Sequence, residues 1–289
     1  MHTTRVSLLV VALTTYAHAH ILWFDLTGLS GTTAPGQTAD PTTVAGISGT
    51  PIIRGPGLAP APLANGFSAQ RWGNPNSVYN PASPSLDNAI ARGDYFEFSL
   101  TVEAGYMVSL TGLETWMRRS ALNAPMNFLW QFSLDGFATP GTPIPVVGST
   151  WTALGVTNTS YFQYLGRVSG TDPGNVQPYD WVLRDVPGRP NTTTSVGDPI
   201  PPIDLSSIPE LQNLPAGTTV TFRLYGWGNN NTTDSNTVGL GRVHGPRLSG
   251  IVTVIPEPST LALTPLAIVF LGLSRLRRGR STAAQPTGL

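Results

Sequence analysis

The sequence predicts an all-β fold, an antiparallel β-sandwich. The chain holds 31 glycines and 27 prolines in 289 residues, a density of helix breakers that suits short strands joined by turns. Several segments alternate apolar and polar residues, which is the period of half-buried strands. Helical periodicity is weak, and the only helix we expect is a short one near Leu205–Leu211.

The first strong strand pattern lies at residues 95–102. Its apolar side chains share one face: Phe96, Phe98, Leu100 and Val102. Glu97 belongs to the opposite face, so we expect it to be solvated. Glu103-Ala104-Gly105 is typical of a turn, and the next strand begins with Tyr106, Val108 and Leu110 on one face.

Two later segments show the same alternation. Residues 127–134 place four apolar side chains on one face: Phe128, Trp130, Phe132 and Leu134. Asp135-Gly136 then indicates a turn. Residues 218–226 place three side chains inward: Val220, Phe222 and Leu224. Weaker patterns predict strands at 21–27, 161–168, 179–185 and 247–254, and long loops at 25–79 and 186–215.

Charge and composition exclude several classes of protein. The 16 basic and 16 acidic residues cancel, so the basic surplus of nucleic-acid-binding proteins is missing and we expect no nucleic-acid partner. Cysteine is absent, which excludes disulfides, zinc–thiolate sites and thiol catalysis.

Residues 1–19 predict a secretory signal peptide. Arg5 supplies the positive start, Val6–Leu13 is an apolar run, and Ala17-His18-Ala19 is a small-x-small cleavage site. We expect cleavage before His20. The alternative is a buried N-terminal strand.

The C-terminal end combines a proline-rich motif, an apolar run and an arginine cluster. Ile255–Thr260 reads Ile-Pro-Glu-Pro-Ser-Thr, and the apolar run covers 261–276. The arginines at its end are Arg275, Arg277, Arg278 and Arg280. Spanning a bilayer takes about 20 apolar residues, and snorkelling arginines extend the reach of a shorter run. We therefore expect a membrane helix at 261–276 with residues 281–289 in the cytoplasm. The alternative is a buried core helix.

This arrangement resembles the PEP-CTERM sorting signal of Gram-negative bacteria. Pro256, Glu257 and Pro258 match its motif, and Arg275, Arg277, Arg278 and Arg280 match its membrane stop signal. The resemblance covers residues 255–280. It implies an exosortase as partner, membrane insertion before processing, and anchoring or release outside the cell in species that make exopolysaccharide and biofilm.

The body, residues 20–254, resembles the ectodomain that commonly accompanies such signals. The similarity lies in Gly93–Phe98, Gly105–Leu110, Ser133–Phe137 and Thr221–Trp227. It implies a β-sandwich of jelly-roll type without assigned catalytic residues. The segment Gly241–Pro246 departs from the family pattern, because the Asp and Asn usual before the last strand are missing.

Two histidines form the candidate metal site. Cleavage before His20 would leave a histidine at the mature N-terminus, and its amine and ring could chelate copper together with His244. Our expectation is nevertheless that His20 merely follows the signal peptide and that the protein holds no cofactor. For calcium, which we leave open, loop oxygens of four residues are the candidates: Asp172, Asn175, Asp180 and Asp185.

The tryptophans suggest carbohydrate stacking. Trp72, Trp116 and Trp227 lie beside turn or polar residues and are the candidate ligand-binding residues. Core packing is the alternative for each, and it is our expectation for Trp130. Carboxylates such as Glu114 show no catalytic spacing, and the chain has no nucleophile-elbow or metalloprotease motif. We therefore expect no enzymatic activity.

The sequence thus predicts an exported, exosortase-processed surface or extracellular protein with a structural or adhesive role in a polysaccharide-rich matrix. The first alternative is a carbohydrate-binding module for exopolysaccharide. The second is a secreted copper oxidase or glycosidase.

Overall fold

The structure is a computed structural model. It describes residues 19–32, 38–72, 85–119, 124–125, 127–147, 160–163, 197–228 and 237–256. The chain divides into two compact units, Met1–Thr253 and Val254–Leu289. The first unit contains nearly all of the described residues.

The described residues form strands throughout, with one α-helix and one 3₁₀-helix. The elements in chain order are β1 Ala19–Asp25, β2 Pro41–Thr43, β3 Ile47–Gly49, β4 Ile53–Arg54, β5 Ala59–Pro60, β6 Phe67–Gln70, α1 Leu86–Arg92, β7 Tyr95–Val102, β8 Tyr106–Arg119, β9 Asn127–Ser133, β10 Thr142–Pro143, β11 Phe162–Gln163, β12 Asp198–Asp204, the 3₁₀-helix Pro209–Leu211, β13 Thr219–Trp227, β14 Val238–Leu240 and β15 His244–Val254.

These strands form two antiparallel sheets. The large sheet has the order β2-β1-β15-β8-β14-β6-β5, with β12 also paired to β8. The small sheet has the order β10-β9-β13-β7-β3, with β11 paired to β9 and β4 paired to β7. The all-β prediction is confirmed, and the first and last strands of the body, β1 and β15, are neighbours.

The core lies between the two sheets and is rich in aromatic rings. Phe98 of the small sheet meets Phe24 of the large sheet edge to face, with ring centres 5.2 Å apart. It also stacks on Phe222 at 5.3 Å and meets Trp130 at 5.8 Å. The predicted inward faces of β7 and β13 are confirmed, since all their apolar residues named above are at most 1% exposed.

Two predicted side-chain environments are wrong. Leu134 is 48% exposed, because β9 ends at Ser133 and the chain turns there. Glu97 is not simply solvated: its carboxylate lies 2.6 Å from Nε of Arg223, which is its direct partner in the β7–β13 pairing. The guanidinium of Arg223 also packs between the rings of Tyr95 and Phe137, at 4.1 and 3.9 Å from their centres.

The predicted long loops contain regular structure. The segment 25–79 holds β2 to β6, and 186–215 holds β12 and the 3₁₀-helix. Strands of two to four residues are too short for an alternating pattern to emerge, so sequence periodicity misses them. The side-chain amide of Gln212 fixes the second segment by donating to the carbonyls of Leu110, Leu205 and Ile208.

Helix α1 was not predicted, although its ends carry clear signals. The hydroxyl of Ser85 accepts a hydrogen bond from the amide of Asn88, which caps the N-terminus. Gly93 ends the helix in the left-handed conformation, with φ of 74°. The expected short helix near Leu205–Leu211 is a 3₁₀ turn at Pro209–Leu211.

Several predictions fall on residues outside the described ranges. They are the signal peptide up to residue 18, the strand at 179–185, the calcium candidates at 172–185 and the sorting signal from Glu257 onward. No helix in the described ranges is long and apolar enough to cross a membrane.

Candidate functional site

The structure separates the three candidate tryptophans. Trp72 is 0% exposed and packs in the core, with its Nε1 donating to the carbonyl of Ala69 and its ring against Phe96. Its proposed role in ligand binding is therefore wrong, because a buried ring cannot stack on a sugar. Trp227 is half-buried at the end of β13 in the small sheet, and its ring meets Tyr161 at 5.2 Å.

Trp116 belongs to a surface formed by three neighbouring strands of the large sheet. Trp23 in β1, Arg247 in β15 and Trp116 in β8 are each half-buried and flanked on both sides by buried residues. Because side chains alternate across a strand, all three point away from the core. Trp23 and Arg247 are direct partners in the β1–β15 pairing. The Arg247 guanidinium lies 4.5 Å from the centre of the Trp116 ring. We call these residues the tryptophan–arginine row.

One end of the row is flanked by His244 and Asp25, which are partners in the β1–β15 pairing. The His244 ring meets Trp116 at 5.4 Å. Burial lowers the pKa of His244, the Arg247 charge lowers it further, and Asp25 opposes both effects. The pKa of Asp25 is also lowered, first by hydrogen bonds from the hydroxyl and amide of Thr27. Burial and the Arg247 charge thus disfavour protonation of His244, and Arg247 is the cation at the centre of the row.

The other flank of the row contains His20, Ser249 and Glu114. The Ser249 hydroxyl lies 3.2 Å from Nδ1 of His20, and Nε2 of His20 lies 4.0 Å from the Glu114 carboxylate. The order serine, imidazole, carboxylate is that of a catalytic triad, in which a hydrogen bond to the carboxylate orients the base. At 4.0 Å that hydrogen bond is not made. The contact with Ser249 orients the His20 ring. The ring lacks the hydrogen bond to Glu114 that a base needs to activate a serine nucleophile.

The two histidines do not come together. His20 pairs with Ser249 and His244 pairs with Asp25, so the two positions are five residue steps apart along β15. At about 3.3 Å per residue the separation is about 16 Å, too far for both rings to bind one ion. This separation excludes the candidate two-histidine copper site, although β1 and β15 are neighbours. Across the described ranges, no three His, Cys, Asp or Glu side chains cluster as a metal site would require.

A shallow depression of about 470 Å³ lies beside the loops that follow β1 and β5. It is lined by Arg118 of β8 together with residues 28–30 and 62–65. Arg118 is two residues from Trp116 and therefore on the same face of β8. The depression thus adds a second arginine next to the row.

Sequence reasoning missed Trp23 and Arg247. Trp23 lies within the apolar run Ile21–Phe24, which gives no sign that its second-last residue faces outward. Arg247 lies where the last strand was expected to begin, and nothing in the sequence indicates that it stacks on Trp116. Only the pairing of strands distant in sequence joins these residues.

The chain matches no protein-family model, and no curated protein is significantly similar to it. What the protein does must therefore be inferred from its own residues.

Proposed function

We propose that the protein is exported, processed by an exosortase, and displayed on the cell surface or released outside the cell. Its β-sandwich, which we take to be of jelly-roll type, has a structural or adhesive role in a polysaccharide-rich matrix and no enzymatic activity. The PEP-CTERM-like order of Ile255–Thr260, apolar run and arginines is the main support for this function.

The exposure of the end of the body agrees with processing at the motif. Strand β15 ends at Val254, and the motif begins one residue later. Val254 is 63% exposed and Ile255 is 44% exposed, and Pro256 is exposed as well. A protease cleaves most readily where the backbone is accessible and outside regular structure. A motif that starts where the last strand stops meets this requirement.

Mass spectrometry of the protein from its host tests this function. We expect a mature N-terminus at His20 and loss of the C-terminal segment near Pro256–Ser259. Glu257→Ala should block the C-terminal cleavage, whereas the matched change Glu210→Ala, at an exposed residue of the 3₁₀-helix, should leave it unchanged. A wild-type protein that keeps Arg277 in bulk would exclude exosortase processing.

The second candidate function is carbohydrate binding, and the tryptophan–arginine row favours it. Surfaces that bind sugars in water combine an aromatic face with polar groups that fix orientation. The row offers both on adjacent strands of a rigid sheet. Carbohydrate binding is also a direct means of attachment to a polysaccharide matrix.

A further inference from the structure

We propose that the tryptophan–arginine row binds acidic polysaccharide. A carboxylate of a uronic acid residue pairs with the Arg247 guanidinium, and the sugar ring packs on Trp23. The inference rests on the carbohydrate-binding function above and adds the chemical class of the ligand and the residues that recognise it.

Arg247 differs from the other two arginines that lie over aromatic rings. Arg54 lies over Phe67 and donates hydrogen bonds to the carbonyls of Ser68 and Gly31. Arg223 pairs with the carboxylate of Glu97. The guanidinium groups of Arg54 and Arg223 therefore already have hydrogen-bonding partners within the protein.

Arg247 has no such protein partner. Within the described ranges its guanidinium makes no hydrogen bond and no ion pair, and its Nε is buried without an acceptor. The stack on Trp116 holds the group in place. Because Nε is buried, the terminal nitrogens Nη1 and Nη2 are the donors that a ligand would meet. A planar guanidinium fixed on an aromatic ring is well suited to bind a carboxylate through two hydrogen bonds.

Within the described ranges neither acidic residue near the row forms an ion pair with Arg247, although the Arg247 charge contributes to the lowered pKa of Asp25. The Asp25 carboxylate accepts hydrogen bonds from Thr27, the shorter being 2.6 Å. Glu114 lies on the His20 flank, 4.0 Å from that ring. Each carboxylate thus has another neighbour, Thr27 for Asp25 and His20 for Glu114, and the Arg247 guanidinium is the cation of the row. This charge is complementary to an acidic ligand, and we expect no comparable attraction for a neutral one.

Trp23 supplies the aromatic surface for the sugar. Its partner in β15 is Arg247, and neighbouring strands lie about 4.8 Å apart, so one sugar residue can contact both side chains. In the part of the chain that the structure describes, no other ring packs against Trp23, unlike Trp227 with Tyr161. Arg118 beside the depression lies further along the same face.

The test measures binding of the full-length chain to polygalacturonate, an acidic polymer, and to dextran, a neutral one, by affinity electrophoresis. We expect binding to polygalacturonate and none to dextran. Arg247→Gln and Trp23→Ala should each lower the affinity for polygalacturonate about tenfold or more, because a charged hydrogen bond or a stacked ring is lost. The affinity of Arg247→Lys should lie between those of these two variants and that of the wild type. Lysine keeps the positive charge but cannot donate two parallel hydrogen bonds to one carboxylate.

Two matched changes away from the row serve as controls. Arg92→Gln removes an arginine from the last turn of α1, a helix that contacts β13 of the small sheet. Trp227→Ala removes a half-buried tryptophan from that sheet. Both should leave binding unchanged, and unfolding temperatures show whether each variant is folded.

The proposal is overturned if Arg247→Gln and Arg247→Lys bind polygalacturonate like the wild type, or if dextran binds equally well. It is also overturned if Arg92→Gln weakens binding as much as Arg247→Gln, because the attraction would then be general. A protein that is cleaved at both ends yet binds no polygalacturonate refutes the ligand assignment and leaves the processing intact. Binding of polygalacturonate by a chain that is never cleaved supports the ligand assignment and refutes the processing.

Discussion

Phe98 should be one of the most costly positions to truncate, because it joins the two sheets. Its side chain is 1% exposed, and its ring contacts Phe24, Trp130 and Phe222 at 5.2 to 5.8 Å. Phe98→Ala leaves a cavity among rigid rings, for which the loss is about 3–5 kcal/mol. Aromatic pairs contribute about 0.5–1.5 kcal/mol each beyond area burial, so we expect the upper half of that range.

Calorimetric unfolding of the full-length chain measures this loss. For a body of this size, about 4 kcal/mol lowers the unfolding temperature by about 8–16 °C. Leu134→Ala is the matched control, since Leu134 is apolar but 48% exposed, and it should change stability by under about 0.5 kcal/mol. Glu97→Gln breaks the half-buried pair with Arg223 and should cost about 1 kcal/mol. Equal losses for Phe98→Ala and Leu134→Ala would refute the inward face of β7 and the exposure of the turn after β9.

Three further changes test other parts of the structure. Gly31→Ala should destabilise far more than Gly28→Ala: both glycines have positive φ, but an added methyl group meets backbone and side-chain atoms at Gly31 and open space at Gly28. Urea unfolding should show about 1–2 kcal/mol for Gly28→Ala, the cost of the left-handed conformation, and similar values for both would contradict the packing at Gly31. Gln212→Ala leaves three buried carbonyls without their side-chain donor. The loss of stability in the same assay should be about 1–3 kcal/mol. A loss as small as that of an ordinary surface change would count against these hydrogen bonds. The pKa of Asp135 is lowered to about 2, chiefly by the Ser133 hydroxyl, so its stabilising contribution is complete above the usual value of 3.8 and is lost as the pH falls through 2. Thermal unfolding should therefore show the wild type losing its advantage over Asp135→Asn across this pH range, and a constant difference would argue against these hydrogen bonds.

The elements that the sequence predicted well are those with long, regular alternation. In β7 four apolar residues recur with period two, and no other backbone conformation would bury all four on one side. The same holds for β13. The short strands β2 to β6 have only two to four residues each, so their position depends on long strands beside them rather than on their own pattern. These short segments form strands because they pair with longer strands, which is an effect of tertiary structure.

The site was less predictable than the fold, because its residues come from three strands distant in sequence. Trp116 was singled out by its polar neighbours, and the structure leaves it half-buried on the outer face of the large sheet. Trp72 has similar neighbours in the sequence, yet it fills the core. Local composition does not distinguish these two environments, since burial depends on which sheet covers the residue.

Irregularities in two strands decide which side chains share the outer face of the large sheet. His20 and Trp23 are three residues apart, so strict alternation would place them on opposite faces. A register shift between His20 and Leu22 resets the alternation, and Ile21 and Leu22 are consequently both buried.

Strand β8 contains a similar irregularity. Leu110 and Leu113 are both fully buried although they are three positions apart, so the alternation of faces in β8 is interrupted between them. From Leu113 to Met117 the alternation is regular again, with Leu113, Thr115 and Met117 buried. Without the interruption after Leu110, Trp116 would point into the core and could not meet Arg247. A β-bulge redirects the side chains that follow it, and the same principle acts in β1 on Trp23. The tryptophan–arginine row therefore depends on two local departures from regular alternation. For this reason sequence periodicity alone does not predict that these residues share one surface.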